Sequence, residues 1–349
     1  TGKIKNYFPG SNKNKKQDSF YDYLPYQTER IFVIKGGPGT GKSTFMKKVG
    51  NKMLDQGYDI ELHWCSSDND SLDGVVIPKL KVAILDGTAP HMVDPKNPGA
   101  IDEIINLGRY WDRTILENNK DNIVELNRQI WQSFNRCYAY LAEAKLIHDE
   151  WEEYYIEGMN FQEANRKSNK LIDEILGEEE LAKQLGGERH LFGSAFTPKG
   201  AVNYFENITQ DIETRYIIKG RPGTGKSTLA KKVAQAARER GFTVNYFHCS
   251  FDPNSIDMIV IDELSVALID GTAPHVVDSS RQGDQVVNML ECVAPKIVNQ
   301  NLSKISATEK RYDAVMSKAL TQLQQAKKLH DQLEEFYIVA MDFDAIEEE

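Results

Sequence analysis

One ten-residue string occurs twice in this chain and sets most of what the chain can fold into. The first copy is Lys35-Gly36-Gly37-Pro38-Gly39-Thr40-Gly41-Lys42-Ser43-Thr44. The second, 184 positions later, is Lys219-Gly220-Arg221-Pro222-Gly223-Thr224-Gly225-Lys226-Ser227-Thr228. Both read GxxxxGKS, follow a short apolar run (Ile31 to Ile34, Tyr216 to Ile218) and precede a helical pattern. Strand, glycine loop and helix in that order separate a phosphate loop from a chance match. The glycines let successive N–H groups converge on an anion at a helix N-terminus, where the helix dipole also favours negative charge.

The same offset continues past the loop. Cys65-Ser66-x-Asp68 returns as Cys249-Ser250-x-Asp252, and Ser71-x-Asp73 as Ser255-x-Asp257. The run from Val82 through Asp86 to His91 returns as Val266 through Asp270 to His275. Upstream, Phe20-Tyr21-Asp22 stands opposite Tyr204-Phe205-Glu206. Ala144-Lys145-Leu146-Ile147-His148-Asp149 matches Ala326-Lys327-Lys328-Leu329-His330-Asp331 at an offset of 182, so two residues are missing in between. A period this long indicates duplicated domains rather than a solenoid. The polar stretch from Gly177 to Gly187 is the candidate linker, which divides the chain into 1–185 and 186–349.

Apolar runs at Ile31–Lys35, Tyr58–Cys65 and Val82–Leu85 predict strands, with a helix from Lys42 to about Gln56. Half two repeats them at Phe242–Cys249 and Val266–Ile269, with a helix from Lys226 to about Arg240. Alternation of this kind predicts an α/β fold, two tandem domains each with a parallel sheet flanked by helices. Residues 71–80 are ambiguous, and Phe192 to Phe196 reads as a further strand of either sheet. From about Asn118 to Tyr155 runs a helical pattern without Gly or Pro, its apolar residues three and four apart as in a coiled-coil seam. Val298 to Tyr337 does the same. Each half therefore carries a long helical arm; the first returns through a helix near Asn160 to Leu176.

The chemistry follows from the loops. Gly36 to Thr44 and Gly220 to Thr228 are expected to wrap phosphates, with Lys42 and Lys226 on the β- and γ-phosphates of ATP. Ser43 and Ser227 place a hydroxyl on Mg²⁺. Asp86 and Asp270 end apolar strands, the position of the carboxylate that holds that metal, although each also suits a turn. Gly87 and Gly271 follow them, so the glutamate that motor-type ATPases use to activate water is missing. Asp68 and Asp252, at the carboxyl edge of the sheet, and His91 and His275 are the candidate acid–base residues, with Asp73 and Asp257 behind them. Arg221, where half one has Gly37, is either an exposed side chain or a cation reaching across an interface. His148 with Glu152 and His330 with Glu334 have metal-ligand spacing, but their seam position favours core histidines bonded to a neighbour.

The net charge of −10 argues against a general nucleic-acid surface. No signal-peptide pattern opens the chain, no apolar run is long enough for a bilayer, and the four cysteines lack zinc-type spacing. The expectation is a cytoplasmic protein with reduced thiols and no membrane partner.

The loops resemble those of the P-loop NTPase superfamily. With the Cys-Ser-x-Asp and Asp-Gly-Thr-Ala-Pro-His strings in duplicate, the chain is similar to a bacterial family of tandem P-loop ATP-binding proteins best known from Firmicutes. That resemblance implies ATP and Mg²⁺ as ligands. The expected activity is a slow ATPase acting as a nucleotide-driven switch, its arms offered to a protein partner. A small-molecule kinase and an ATP-binding scaffold without turnover are the alternatives.

Overall fold

A computed structural model describes residues 2–12, 27–88 and 93–347. Half one runs β1 (Ile4–Tyr7), β2 (Arg30–Lys35), α1 (Lys42–Asp55), β3 (Ile60–Trp64), β4 (Leu72–Ile77), β5 (Val82–Asp86) and β6 (Asp102–Asn106). It continues through α2 (Arg113–Asn118), α3 (Lys120–Ile156) and α4 (Phe161–Leu176). Half two opens with β7 (Glu188–Leu191), β8 (Ser194–Thr197), β9 (Gly200–Asn203), α5 (Phe205–Ile208), β10 (Thr214–Lys219) and α6 (Lys226–Glu239). Then come β11 (Val244–His248), β12 (Ile256–Ile261), β13 (Val266–Asp270), β14 (Asp284–Asn288), α7 (Pro295–Ala340) and α8 (Phe343–Glu347).

Among the described residues the strands form two six-stranded sheets, β1-β3-β4-β5-β2-β6 and β14-β10-β13-β12-β11-β7. The second order read backwards is the first, strand for strand, so the sequence repeat is an architectural repeat. The pairings are parallel except those of β4 and β12, which run against both neighbours. The ambiguous stretch is thus a strand, and its direction has a simple cause. Only Pro78 to Lys81 separate β4 from β5, with Lys81 in the left-handed region at φ 55°. A parallel crossover needs a much longer connection. The apolar pattern does not predict strands β1, β6, β7, β9 and β14. They are short, and β6 keeps mostly exposed side chains, including Ile104, so its apolar signal is weak. Phe192–Phe196 contributes to a separate hairpin, β8 with β9, rather than to either large sheet.

Each sheet buries its strands against its own helix, Ile34, Val75 and Ile84 against Met46 in half one, and Ile218, Ile259 and Leu268 against Val233 in half two. The halves meet about a pseudo-twofold axis. Phe8 and Phe192, equivalent in the repeat, exchange backbone hydrogen bonds of 2.9 and 3.1 Å. Nearby, Arg189 of β7 makes a buried bidentate pair with Glu61 of β3, at 2.8 and 2.7 Å.

The arms complete the symmetry. Helix α3 has 37 residues and α7 has 46, about 56 and 69 Å at 1.5 Å per residue. Their apolar seams face each other in antiparallel register: Ile130 with Leu333, Cys137 and Leu141 with Ala319 and Leu323, Ala144 with Val315, Trp151 with Ile305. Each arm's end is tied to the other arm's start, Asp112 N–H to Ala340 C=O at 2.7 Å and Ala294 N–H to Gly158 C=O at 2.8 Å. Among the described residues no helix is long and apolar enough to cross a membrane.

Candidate functional site

Helices α1 and α6 begin at the loop lysines, with Gly41 and Gly225 at their N-caps at φ 87° and 82°. Gly39 and Gly223 are also left-handed, at φ 69° and 77°. These angles require glycine and turn the loop backbone around a hollow. Lys42 Nζ points into it and donates to Gly37 C=O at 2.7 Å; Lys226 Nζ donates to Arg221 C=O at 2.9 Å. Thr40 and Thr224 hydroxyls brace the same carbonyls at 2.8 Å.

The strand that ends in the acidic residue lies beside the strand that feeds the loop. Ile34 is in register with Asp86, and Ile218 with Asp270. Lys42 Nζ is therefore 3.7 Å from Asp86 Oδ2, and Lys226 Nζ is 3.6 Å from Asp270 Oδ2. The other oxygen of each carboxylate accepts from a turn amide, Thr88 N–H at 2.9 Å and Thr272 N–H at 3.0 Å. The turn role and the role facing the lysine thus coexist in one side chain. Burial pushes the Asp86 carboxyl above its usual range, opposed by the Lys42 charge. Ser43 and Ser227 sit one residue after the lysines, their hydroxyls accepting from Leu72 and Ile256 N–H at 3.0 and 2.9 Å.

Asp68 and Asp252 each accept from an amide two residues on, at 3.1 Å. Their second oxygens face cations from the opposite half, Lys327 at 3.5 Å and Lys145 at 3.3 Å. Asp73 and Asp257 are buried, and burial together with the Asp270 charge raises Asp257 to about 7. His275 is buried edge-on to Phe205, 3.8 Å from Asp257, and burial lowers it to about 4. His91 lies outside the described residues, as do Pro90 and the Phe20-Tyr21-Asp22 string.

The arms cross over to reach the loops. A Cβ on Gly39 would lie 2.9 Å from the Glu334 carbonyl oxygen, and one on Gly223 would lie 2.5 Å from that of Glu152. The first loop opens into a cavity of about 670 Å³ lined by Lys42, Asp68 and Asp86 from the core. Asn127, Trp131 and Phe134 of α3 and Lys327, His330 and Glu334 of α7 line it as well. Helix α3 thus touches the first site near Asn127 and the second loop near Glu152, about 37 Å along one rigid rod.

His148 and His330 do not behave as bonded core histidines. Each Nδ1 lacks a hydrogen-bond partner, 3.8 Å from Glu152 and 3.7 Å from Glu334. Burial lowers His148 to about 4. Asp149 and Asp331 complete two clusters of potential metal ligands, but Lys145 and Lys327 bind those two carboxylates. Arg221 is half exposed, its Nη1 4.0 Å from Glu309 of its own half. The cations that reach across to Asp252 and Asp68 are instead Lys145 and Lys327, which are not among the candidates the sequence offers. Their signal was the Ala-Lys-x-x-His-Asp string kept at equivalent positions in both arms.

Residues 203–264, from the end of β9 through the second loop and α6 to β12, match the family model described as Nephrocystin 3, N-terminal. No curated protein and no solved structure matches the chain.

Proposed function

We propose that the two halves are tandem P-loop domains that bind two ATP molecules, hydrolyse them with Mg²⁺, and use the nucleotide state to set the packing of the paired arms. The observation that carries this reading is that each arm spans both loops, contacting its own half's loop region near its start and the opposite loop near its end. A ligand that displaces Lys42 from the Gly37 carbonyl changes the surface on which Glu334 and Tyr337 rest. Because the seam between the arms is continuous, that change is felt at the second loop.

The donor set fits the ligands. Backbone amides at a helix N-terminus and one lysine suit a polyphosphate. Hydroxyl oxygens of Ser43 and Ser227 and carboxylates of Asp86 and Asp270 suit a hard cation such as Mg²⁺, which when bound neutralises phosphate charge. Asp68, beside the cavity at loop one, is the observation that favours the second reading, a kinase in which it accepts a proton from a small-molecule hydroxyl.

Titration calorimetry with ATP and Mg²⁺, followed by ADP release with no acceptor present, tests the proposal. Two bound equivalents with steady ADP release support the ATPase. ADP release only after metabolite extracts are added supports the kinase, and binding without release leaves a scaffold. Hydrogen exchange along α3 and α7 that is indifferent to ATP would remove the switch.

A further inference from the structure

The strand ends of both halves carry glycine after the aspartate, so neither core places a free carboxylate beside it there. The other acidic groups of the first cavity are engaged. Asp86 faces Lys42 and Thr88, Asp68 faces Lys327 and the Asp70 amide, and Asp70 pairs with Lys199. Glu334 is different. Its backbone carbonyl and Cβ sit against Gly39, its side chain lines the cavity, and its carboxylate lies 3.7 Å from His330 Nδ1, a buried atom without a hydrogen-bond partner. Glu152 and His148 repeat the carbonyl and histidine contacts over Gly223.

We propose that each arm supplies the general base to the other half's site: Glu334 at the first loop and Glu152 at the second, each oriented by the histidine one turn before it. This rests on the ATPase reading. The carboxylate takes a proton from water as the water oxygen bonds to the γ-phosphorus. The bond from that phosphorus to the bridging oxygen breaks, and its electron pair leaves on ADP. The proton then passes from the carboxyl group to solvent. Lys327 and Lys145 are carried by the same arms two turns before the glutamates, each held by two aspartates. They bring positive charge to the side of the cavity where the phosphoryl group becomes free.

The test silences one site at a time. In a Lys226→Ala background, ADP production reports the first loop alone. Glu334→Gln there is expected to lower kcat by about 100-fold or more, the scale of general-base catalysis, with KM for ATP changed less than about threefold. The acid limb of the kcat–pH profile disappears, which a structural role would not cause. In a Lys42→Ala background, Glu152→Gln is expected to do the same to the second loop. Glu334→Asp keeps the carboxylate and is expected to retain a measurable fraction of the rate; it also serves if the Gln variant folds poorly. Undiminished kcat in Glu334→Gln overturns the inference, as does equal loss in Glu334→Asp and Glu334→Gln with a raised KM. So does loss of Mn²⁺ binding by nucleotide-free Glu334→Gln, which would make the cluster a metal site. A parent protein that binds ATP but releases no ADP instead defeats the ATPase reading.

Discussion

The two glycine loops are nearly identical, yet the space beside them is not. At the first loop Ser67, Ile130 and Leu333 border an open cavity of about 670 Å³. The equivalent positions around the second loop are Phe251, Tyr312 and Trp151. Their rings close around His148, with centroids 5.6 to 6.2 Å from it. Gly37 lies under the Tyr337 ring, whereas Arg221 at the matching position pairs with Glu309. After duplication the loop backbone is constrained by left-handed glycines, but the side chains between loop and arm are free to diverge. Two copies of one loop therefore face differently lined surroundings.

The comparison can be broken hardest at the lysines. Lys42→Ala and Lys226→Ala are each expected to reduce bound ATP from two equivalents to one by calorimetry. A parent with one equivalent, unaffected by one of the substitutions, would make that half vestigial.

The interface around the dyad is asymmetric too. Burial alone would raise Glu61, but the Arg189 guanidinium holds it well below the usual carboxylate range. Breaking such a buried pair is expected to cost about 3–5 kcal/mol, so Arg189→Leu should lower the urea midpoint markedly. The symmetry-related Lys5 is 3.7 Å from Asp262, with side chains 32% and 51% exposed. Lys5→Ala is expected to cost no more than about 1 kcal/mol.

Swapping the loop residues sharpens the contrast. A Cβ at Gly37 would lie 2.5 Å from the Tyr337 ring. Gly37→Arg is expected to destabilise by about 1–3 kcal/mol through overpacking and to loosen the arm over the first loop. Arg221→Gly at the exposed position should stay within about 0.5 kcal/mol of the parent in thermal melts.

Asp86→Asn and Asp270→Asn are each expected to slow Mg²⁺-dependent turnover at their own site about tenfold, about 1.4 kcal/mol in the barrier. Binding should change less, because the amides that wrap phosphate remain. Single-site backgrounds would read the two halves separately.

The smallest effect is on acid stability. His148 falls to about 4 from an ordinary 6.5 because it is buried. The folded state thus favours the neutral ring, and its contribution is full above pH 6.5 and lost as pH falls toward 4. His148→Leu should flatten the fall in melting temperature across that window. An unchanged slope would assign it to other groups.

Much of the fold was legible because a strand buried on both faces writes an apolar run, as in the Val82–Asp86 and Val266–Asp270 strands up to their terminal aspartates. The loops were legible because their φ angles admit only glycine. The edge strands were not, since β1 and β6 bury few side chains and gain their order from a neighbouring strand. Lys145 and Lys327 do not stand out in the sequence, and Glu152 and Glu334 stand out only by metal-ligand spacing with a histidine, for a related reason. Charged residues on a helix read as a solvated face until something is packed against it.

The sequence by itself determined that there are two loops, two similar cores and two long apolar seams. Local backbone chemistry and periodicity fix those features within each half. Only the tertiary structure decided which arm serves which loop. A seam specifies apolar contact, not a partner, and is satisfied equally by another chain. Here α3 and α7 bury their seams against each other in opposite directions, and rods about 56 and 69 Å long carry each end past its own core. The far end of each arm therefore rests on the other half's loop, a placement set by helix length and antiparallel packing rather than by any residue near that loop.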